Sequence, residues 1–326
     1  MARDDLDLAI LEYGYSNRDG RLRSGLEFTI SLAQIAEECG YSRFWFTEHH
    51  DANLQIACPE VVIAAVAAKT RRIRVGSAGI LLNYYSPFKV AEAFHTLSTL
   101  FPDRIDLGLA RGIGAAPEVA DLLRDGGAKP ADATDAQALF ERKAKDLIAH
   151  LRAGYATQQK LESGAPLPAM PEVWLMGSGT GSAALAAKLG ARLAMTLWYY
   201  SPETVDIRAV LADYAAQFQR APDGPPATGC LSLSGICAET DAEAEAMLAK
   251  ARERYGVELI VNFCGSPERC RGMILDLAAR HGVREVVIQA QLCESDQQER
   301  MFRLLANAML RDKGTPRREQ ARSRAA

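Results

Sequence analysis

The sequence predicts an α/β fold of the closed (β/α)8 kind, a TIM barrel of eight parallel strands ringed by helices. Three observations predict it. Short apolar runs alternate with longer stretches of helical period almost from end to end. Eight such runs occur, each followed by at least one helical stretch. The length of 326 residues, 48% of them hydrophobic, suffices for one large core, and α/β barrels commonly run this long as a unit. A doubly wound open sheet alternates in the same way. Residues 1–310 are assigned to the barrel, and 311–326, polar and without apolar period, are read as a disordered tail.

The elements follow in order. Leu6 to Tyr13 reads as a strand, and Gly25 to Cys39 as a helix with Leu26, Ile30 and Ala33 on successive turns. Arg43 to Thr47 is a second strand, rich in aromatics, and Pro59 opens the next helix at its first turn. Ile73 to Leu82 is a strand, Pro87 to Leu100 a helix, and Arg104 to Ala110 a strand. Gly112 to Ala133 then reads as a long loop with room for one short helix, Asp135 to Leu151 as a helix, and Gly154 to Met170 as irregular. The alternation resumes with strand Val173 to Met176, helix Thr180 to Leu189 and strand Leu193 to Leu197. Ser201-Pro202-Glu203 has the makings of a helix start, as does the capping box Thr240-Asp241-Ala242-Glu243 after strand Cys230 to Ala238. Ser266-Pro267-Glu268 starts another helix, Glu285 to Ala290 is the last strand, and Gln297 to Leu310 the last helix.

Composition narrows the function classes. With 38 basic and 41 acidic residues the net charge is -3, which leaves no basic excess to neutralise a nucleic-acid backbone. No apolar run reaches the roughly 18 residues of a membrane span, and the charged start Met1-Ala2-Arg3-Asp4-Asp5 has no apolar stretch behind it. The seven cysteines are scattered without zinc-like or Cys-x-x-Cys spacing, so no metal site is expected and a reduced, cytoplasmic protein is the natural reading.

In such a barrel the working residues sit where strands end and loops begin. Four strand ends carry unusual chemistry. Thr47-Glu48-His49-His50 places two histidines and a carboxylate after the second strand; alternation sends only one histidine into the barrel, to act on a ligand or to serve as a hydrogen-bonded structural group. Val75-Gly76-Ser77-Ala78-Gly79-Ile80 lets a planar ligand approach the backbone, or marks a bulge. Arg111, just after Gly108-Leu109-Ala110, suits bidentate capture of a phosphate, or a surface salt bridge. Met176-Gly177-Ser178-Gly179-Thr180-Gly181-Ser182 runs from strand into helix, where glycines, N–H groups and hydroxyls favour an anion. It is neither a dinucleotide fingerprint nor a P-loop, and a mononucleotide phosphate fits it better.

Together these stretches resemble the bacterial luciferase-like flavin-dependent monooxygenases. The likeness runs through Gly40-Tyr41-Ser42-Arg43-Phe44-Trp45-Phe46-Thr47-Glu48-His49-His50, Arg72 to Gly79, Pro102 to Gly108 and Glu172 to Ser178, and more loosely through Gly265 to Val287. The resemblance implies that His49 is the active-site histidine beside the flavin. It implies that Ala78-Gly79 lies under the isoalloxazine ring, often as a non-proline cis peptide, and that Arg111, Ser178, Gly179 and Ser182 hold the FMN phosphate. Ala110 stands where luciferase proper has a reactive cysteine, and the segment from Arg254 to Ser266 is too short for its long lid, so the likeness is to the family and not to luciferase itself. Tyr84, Tyr85 and Trp198 are candidate walls of a substrate pocket, or packing.

The function so implied is that of a two-component monooxygenase. A separate flavin reductase supplies reduced FMN, since the chain lacks a nicotinamide fingerprint. Molecular oxygen is the co-substrate, and a C4a-peroxyflavin oxidises a small organic molecule. Two alternatives stand beside it: a flavin- or deazaflavin-dependent dehydrogenase or reductase of the same superfamily, and a non-catalytic flavin-binding partner subunit. A homodimer through alanine-rich outer helices is also expected (Ala64, Ala65, Ala67, Ala68, Ala91, Ala93).

Overall fold

Nine parallel strands make one sheet, and eight of them close it. The structure is a computed structural model and describes residues 6–14, 22–50, 56–112, 114–124, 129–153, 169–197, 205–221, 224–256, 259–291 and 295–310. The strands are β1 (Asp7–Glu12), β2 (Arg43–Phe46), β3 (Arg74–Leu81), β4 (Ile105–Ala110), β5 (Glu172–Gly177), β6 (Arg192–Thr196), β7 (Gly229–Cys237), β8 (Phe263–Gly265) and β9 (Glu285–Ala290). Each of β1 to β7 pairs with the next, and β9 joins β7 to β1, closing a parallel TIM barrel of eight. The short β8 lies outside the ring, paired with Gly235, Ile236 and Cys237 of β7. The eight barrel strands are those read from the sequence. The three-residue β8 was not among them, being too short to carry a period of two.

The helices are α1 (Leu22–Cys39), α2 (Pro59–Lys69), α3 (Pro87–Leu100), α4 (Pro117–Arg124), α5 (Ala133–Ala153), α6 (Thr180–Leu189), α7 (Ile207–Gln217), α8 (Asp241–Tyr255), α9 (Pro267–His281) and α10 (Ser295–Met309). Thr240 caps α8, its hydroxyl accepting from the Glu243 N–H, while Glu243 Oε2 accepts from the N–H of Glu239. Before α7 the cap is Asp206, accepting from Ala209 N at 3.1 Å; Ser201-Pro202-Glu203 lies outside the described residues, as does the tail 311–326. None of the described helices is long and apolar enough to cross a membrane.

Alternation along the strands divides the interior in two. Phe44, Phe46, Val75, Leu107, Leu109, Leu231 and Ile288 face outward and pack under the helices. Ala9, Leu11, Trp45, Trp174, Ala194, Cys230 and Val287 fill the barrel itself. Two fully buried indoles dominate this inner layer, Trp45 and Trp174, with ring centroids 5.0 Å apart and edge to face. Small neighbours make room for them. A Cβ on Gly76 would lie 2.3 Å from the Asp106 carbonyl oxygen, and one on Gly108 2.2 Å from that of Ser77, so β3 and β4 approach as only glycine allows.

Charged side chains close the N-terminal end of the barrel. Asp106, fully buried, accepts from Arg43 at 2.8 Å, from Arg74 at 2.6 Å and from the Trp45 indole at 2.8 Å. Arg43 also reaches Glu172 at 2.8 Å and Glu285 at 2.5 Å, and its guanidinium lies 4.9 Å from the Trp174 ring centroid. With that end sealed by salt bridges and indoles, open space is left at the other end, where the strands deliver their C-terminal residues.

Candidate functional site

A cavity of about 620 Å³ opens at the C-terminal strand ends. Its size is that of a small-molecule or cofactor site. Leu11 and Tyr13 from β1 and beyond, Met176, Thr196 and Ser232 form its floor. Thr47, Glu48 and His49 line it after β2, and Ala78, Gly79 and Leu81 come from β3. Ala110, Arg111 and Gly112 follow β4, and the run Gly177 to Ser182 closes the ring between β5 and α6. The sequence-predicted residues His49, Ala78, Gly79, Arg111, Ser178, Gly179 and Ser182 thus face one space.

His49 lines the cavity beside Thr47 and Glu48 just beyond the end of β2, and His50 does not. The His49 Nδ1 lies 3.0 Å from the Thr47 hydroxyl, and Tyr13 stacks on the imidazole with centroids 5.2 Å apart. Two side chains, one just after β2 and one just after β1, therefore fix the ring. His50 Nε2 lies 2.9 Å from Glu48 Oε1 instead.

Between β3 and β4 the register shifts from Ser77 to Ile80, and the Ala78-Gly79 peptide within the shift is cis. The Ser77 hydroxyl repairs the ladder there, accepting from Gly108 N at 3.1 Å and donating to Gly108 O at 3.0 Å. Arg111 donates to Gln137 Oε1 at 2.6 Å, and Gln137 in turn donates to Glu141 at 2.7 Å. Gln137 and Phe140 of α5 both line the cavity. At the start of α6, Gly179 is the N-cap and offers no side chain to the first-turn N–H groups. A Cβ on Gly112, Gly179 or Gly181 would meet nothing within 4 Å, so backbone there borders open space. Against Gly177, by contrast, Ser182 packs so closely that a Cβ would lie 2.2 Å from it.

The charges are arranged by side. Arg111 and the positive end of α6 face the cavity from one flank. Glu48 borders it from the other, 2% exposed, and burial pushes its carboxyl above the usual range against hydrogen bonds from Tyr85, His50 and Leu81. Neither Tyr84 nor Tyr85 lines the cavity. Tyr84 is buried beside Leu81 and Ala120, with the Arg124 guanidinium 5.1 Å from its ring centroid, and Tyr85 donates to Glu48 at 2.5 Å. Trp198 lies outside the described residues. The sequence reading missed Tyr13, Gln137 and Phe140. The amphipathic face of α5 was legible, but nothing local said that it leans over the mouth.

A parallel barrel with an anion-ready turn, a tethered arginine and a clamped histidine at one mouth has the layout of a TIM-barrel enzyme site. Residues 14–315 match the family model described as luciferase-like monooxygenase, and the chain belongs to that family. It is 36% identical over 243 residues to the N-acetyl-S-alkylcysteine monooxygenase of Bacillus subtilis (strain 168), covering 73% of this chain and 70% of that one. The crystal structure of apo-MsnO8 superposes with a TM-score of 0.80 at 32% identity, over 96% of this chain and all of that one (100%). At 18% identity the fold is also shared with the oxygenating constituent of 3,6-diketocamphane monooxygenase from the CAM plasmid of Pseudomonas putida, a type II Baeyer-Villiger monooxygenase solved in complex with FMN. That superposition has a TM-score of 0.73 and covers 94% of this chain and 98% of the other.

Proposed function

We propose that this monooxygenase is FMN-dependent, takes its flavin reduced from a separate reductase, and oxygenates a small organic molecule with molecular oxygen as co-substrate. The observation that carries the reading is one cavity bordered by Arg111, the serine-lined start of α6 and His49 together. The donor set suits a phosphate monoester: a guanidinium, the hydroxyls of Ser178 and Ser182, and uncapped N–H groups at a helix start. The apolar wall of Ala78, Gly79, Leu11 and Met176 suits a flat ring.

When bound, reduced FMN supplies the activation of oxygen. The protein's residues do the rest. Gln137 holds the Arg111 guanidinium toward the cavity, so that little side-chain freedom is lost on capturing the anion. Thr47 and Tyr13 fix the His49 imidazole, the side chain best suited to hold or pass a proton near neutral pH. Leu11, Phe140 and Met176 exclude water from the floor and wall.

The test mixes reduced FMN and oxygen rapidly with and without the protein. Reoxidation of protein-bound flavin at a rate unlike that of free flavin supports the reading, and identical rates count against it. Tight binding of a deazaflavin with no binding of FMN would instead favour the hydride-transferring reading. No turnover by the wild type alone would point to a non-catalytic subunit, and a His49→Ala protein that turns over as the wild type does would count against a role for His49 in the chemistry.

A further inference from the structure

Glu48, which borders the cavity, has three hydrogen-bond partners on its carboxylate. Its Oε1 accepts from the Tyr85 hydroxyl at 2.5 Å and lies 2.9 Å from His50 Nε2, and its Oε2 accepts from Leu81 N at 2.9 Å. Each partner belongs to a different part of the mouth. Leu81 ends β3 and lines the cavity. Tyr85 follows the single 3-10 turn Leu82–Tyr84, which Lys143 of α5 clamps by donating to the carbonyls of Asn83 and Tyr85 at 2.9 and 2.7 Å. His50 itself is anchored through its backbone, its main-chain N–H donating to Gly114 O at 2.7 Å and its backbone bridging to Ala115 after β4. One carboxylate thus ties the end of β3 and the turn after it to the segment that carries His49 and His50.

We propose that Glu48 is a positioning residue whose ionised carboxylate holds the mouth in its flavin-binding shape, and whose protonation releases that hold and weakens flavin binding. The inference rests on the flavin reading above. Its physical basis is a count of donors. The Tyr85 hydroxyl and the Leu81 N–H donate to the carboxylate, and His50 Nε2 does so in its Nε2–H tautomer; an ionised carboxylate accepts only. A protonated carboxyl is a weaker acceptor than a carboxylate; a proton on Oε2 would face the Leu81 N–H, and one on Oε1 keeps the His50 contact only if the imidazole switches tautomer and accepts it at Nε2. The bonds from Tyr85 and Leu81 lose their charge assistance either way.

Burial, offset in part by these hydrogen bonds, raises the carboxyl above its ordinary value, which makes its protonation easier. The titratable groups facing it are His50, Tyr84, Tyr85 and Cys58, with Glu60 beyond Cys58 and Tyr85.

The experiment is an FMN fluorescence titration of the full-length protein and two variants between about pH 5 and about pH 8. Wild-type affinity is expected to fall about tenfold toward acid, the equivalent of one charge-assisted hydrogen bond. Glu48→Gln, which cannot ionise, is expected to bind about tenfold more weakly at the alkaline end and to lack the wild type's additional loss of affinity toward acid. Tyr85→Phe keeps the carboxyl but removes the hydrogen bond that lowers its pKa, so the transition should move to higher pH. A purely structural contact would weaken binding without moving a midpoint. The FMN phosphate titrates in the same range in all three proteins, so the differences between curves carry the result. A Glu48→Gln curve parallel to the wild type overturns the proposal, as does an unmoved midpoint in Tyr85→Phe, which stays informative even if Glu48→Gln misfolds. No FMN binding by the wild type at any pH overturns the flavin reading and this inference together.

Discussion

Arg111 is exposed, yet it is not a loose surface arginine, because Gln137 and Glu141 hold it in a chain of short hydrogen bonds at the cavity edge. Arg111→Ala is expected to weaken FMN binding about 10- to 100-fold, the loss of one or two charge-assisted hydrogen bonds, and isothermal titration checks it. A second residue prediction concerns Glu12, whose carboxyl burial pushes up to about 7 although Gly14 N donates to it at 2.7 Å. The folded state therefore binds a proton that the unfolded chain releases near the ordinary carboxyl value, so this group's contribution falls as pH rises from about 4.5 to about 7. Glu12→Gln keeps the acceptor and removes the charge. It should leave stability unchanged near pH 4 and add roughly 3 kcal/mol near pH 8, read by urea denaturation at both values. At this scale the sequence was informative where chemistry and strand ends coincide, as at His49, Arg111 and Ser178. It was silent on Tyr13 and Gln137, whose roles depend on which distant element leans over the mouth.

Among the elements, the contact of β3 with β4 shapes the site most. The register slips between Ser77 and Ile80, and the Ser77 hydroxyl takes both backbone groups of Gly108. Ser77→Ala should leave a buried N–H and C=O short of partners and cost about 1–3 kcal/mol by thermal or chemical denaturation, with weaker FMN binding expected as the Ala78-Gly79 wall of the cavity loosens. A loss of affinity without a loss of stability would contradict this account of the slip.

The elements also show what a sequence can and cannot reveal. Period and turn residues placed the eight barrel strands and the helix starts at Pro59, Pro87 and Thr180, because burial on one face imposes that period. They said nothing of β8, and little of the ground between β4 and α5, where α4 holds only eight residues. Six strands begin with a charged residue: Asp7, Arg43, Arg74, Glu172, Arg192 and Glu285. Such charges look like polar strand boundaries when read one at a time. Only closure of the barrel brings them around one axis.

At the scale of the whole molecule, the barrel has two unlike ends. One is sealed by Asp106 with Arg43 and Arg74, and the other is open and carries the site. Burial opposes ionisation of Asp106, but the two guanidinium groups and the Trp45 indole outweigh it and hold its pKa below the ordinary value. A depressed pKa stabilises the fold above the unfolded value, and that contribution is lost as pH falls through the folded one. Asp106→Asn leaves Arg43 and Arg74 short of a buried counter-charge and should cost about 3–5 kcal/mol at neutral pH. The gap between wild type and variant should narrow in strong acid, as denaturation curves at the two pH values would show.

The central claim is that the open end grips a flavin by its phosphate. It is tested most directly by comparing FMN with riboflavin, which lacks that phosphate, in calorimetric titrations of the wild type and of Arg111→Ala. Wild-type protein should bind FMN at least about tenfold more tightly than riboflavin, and the variant should lose most of that preference while its riboflavin affinity stays put. Equal affinity for the two flavins in the wild type, or a preference untouched by removing the guanidinium, would contradict it.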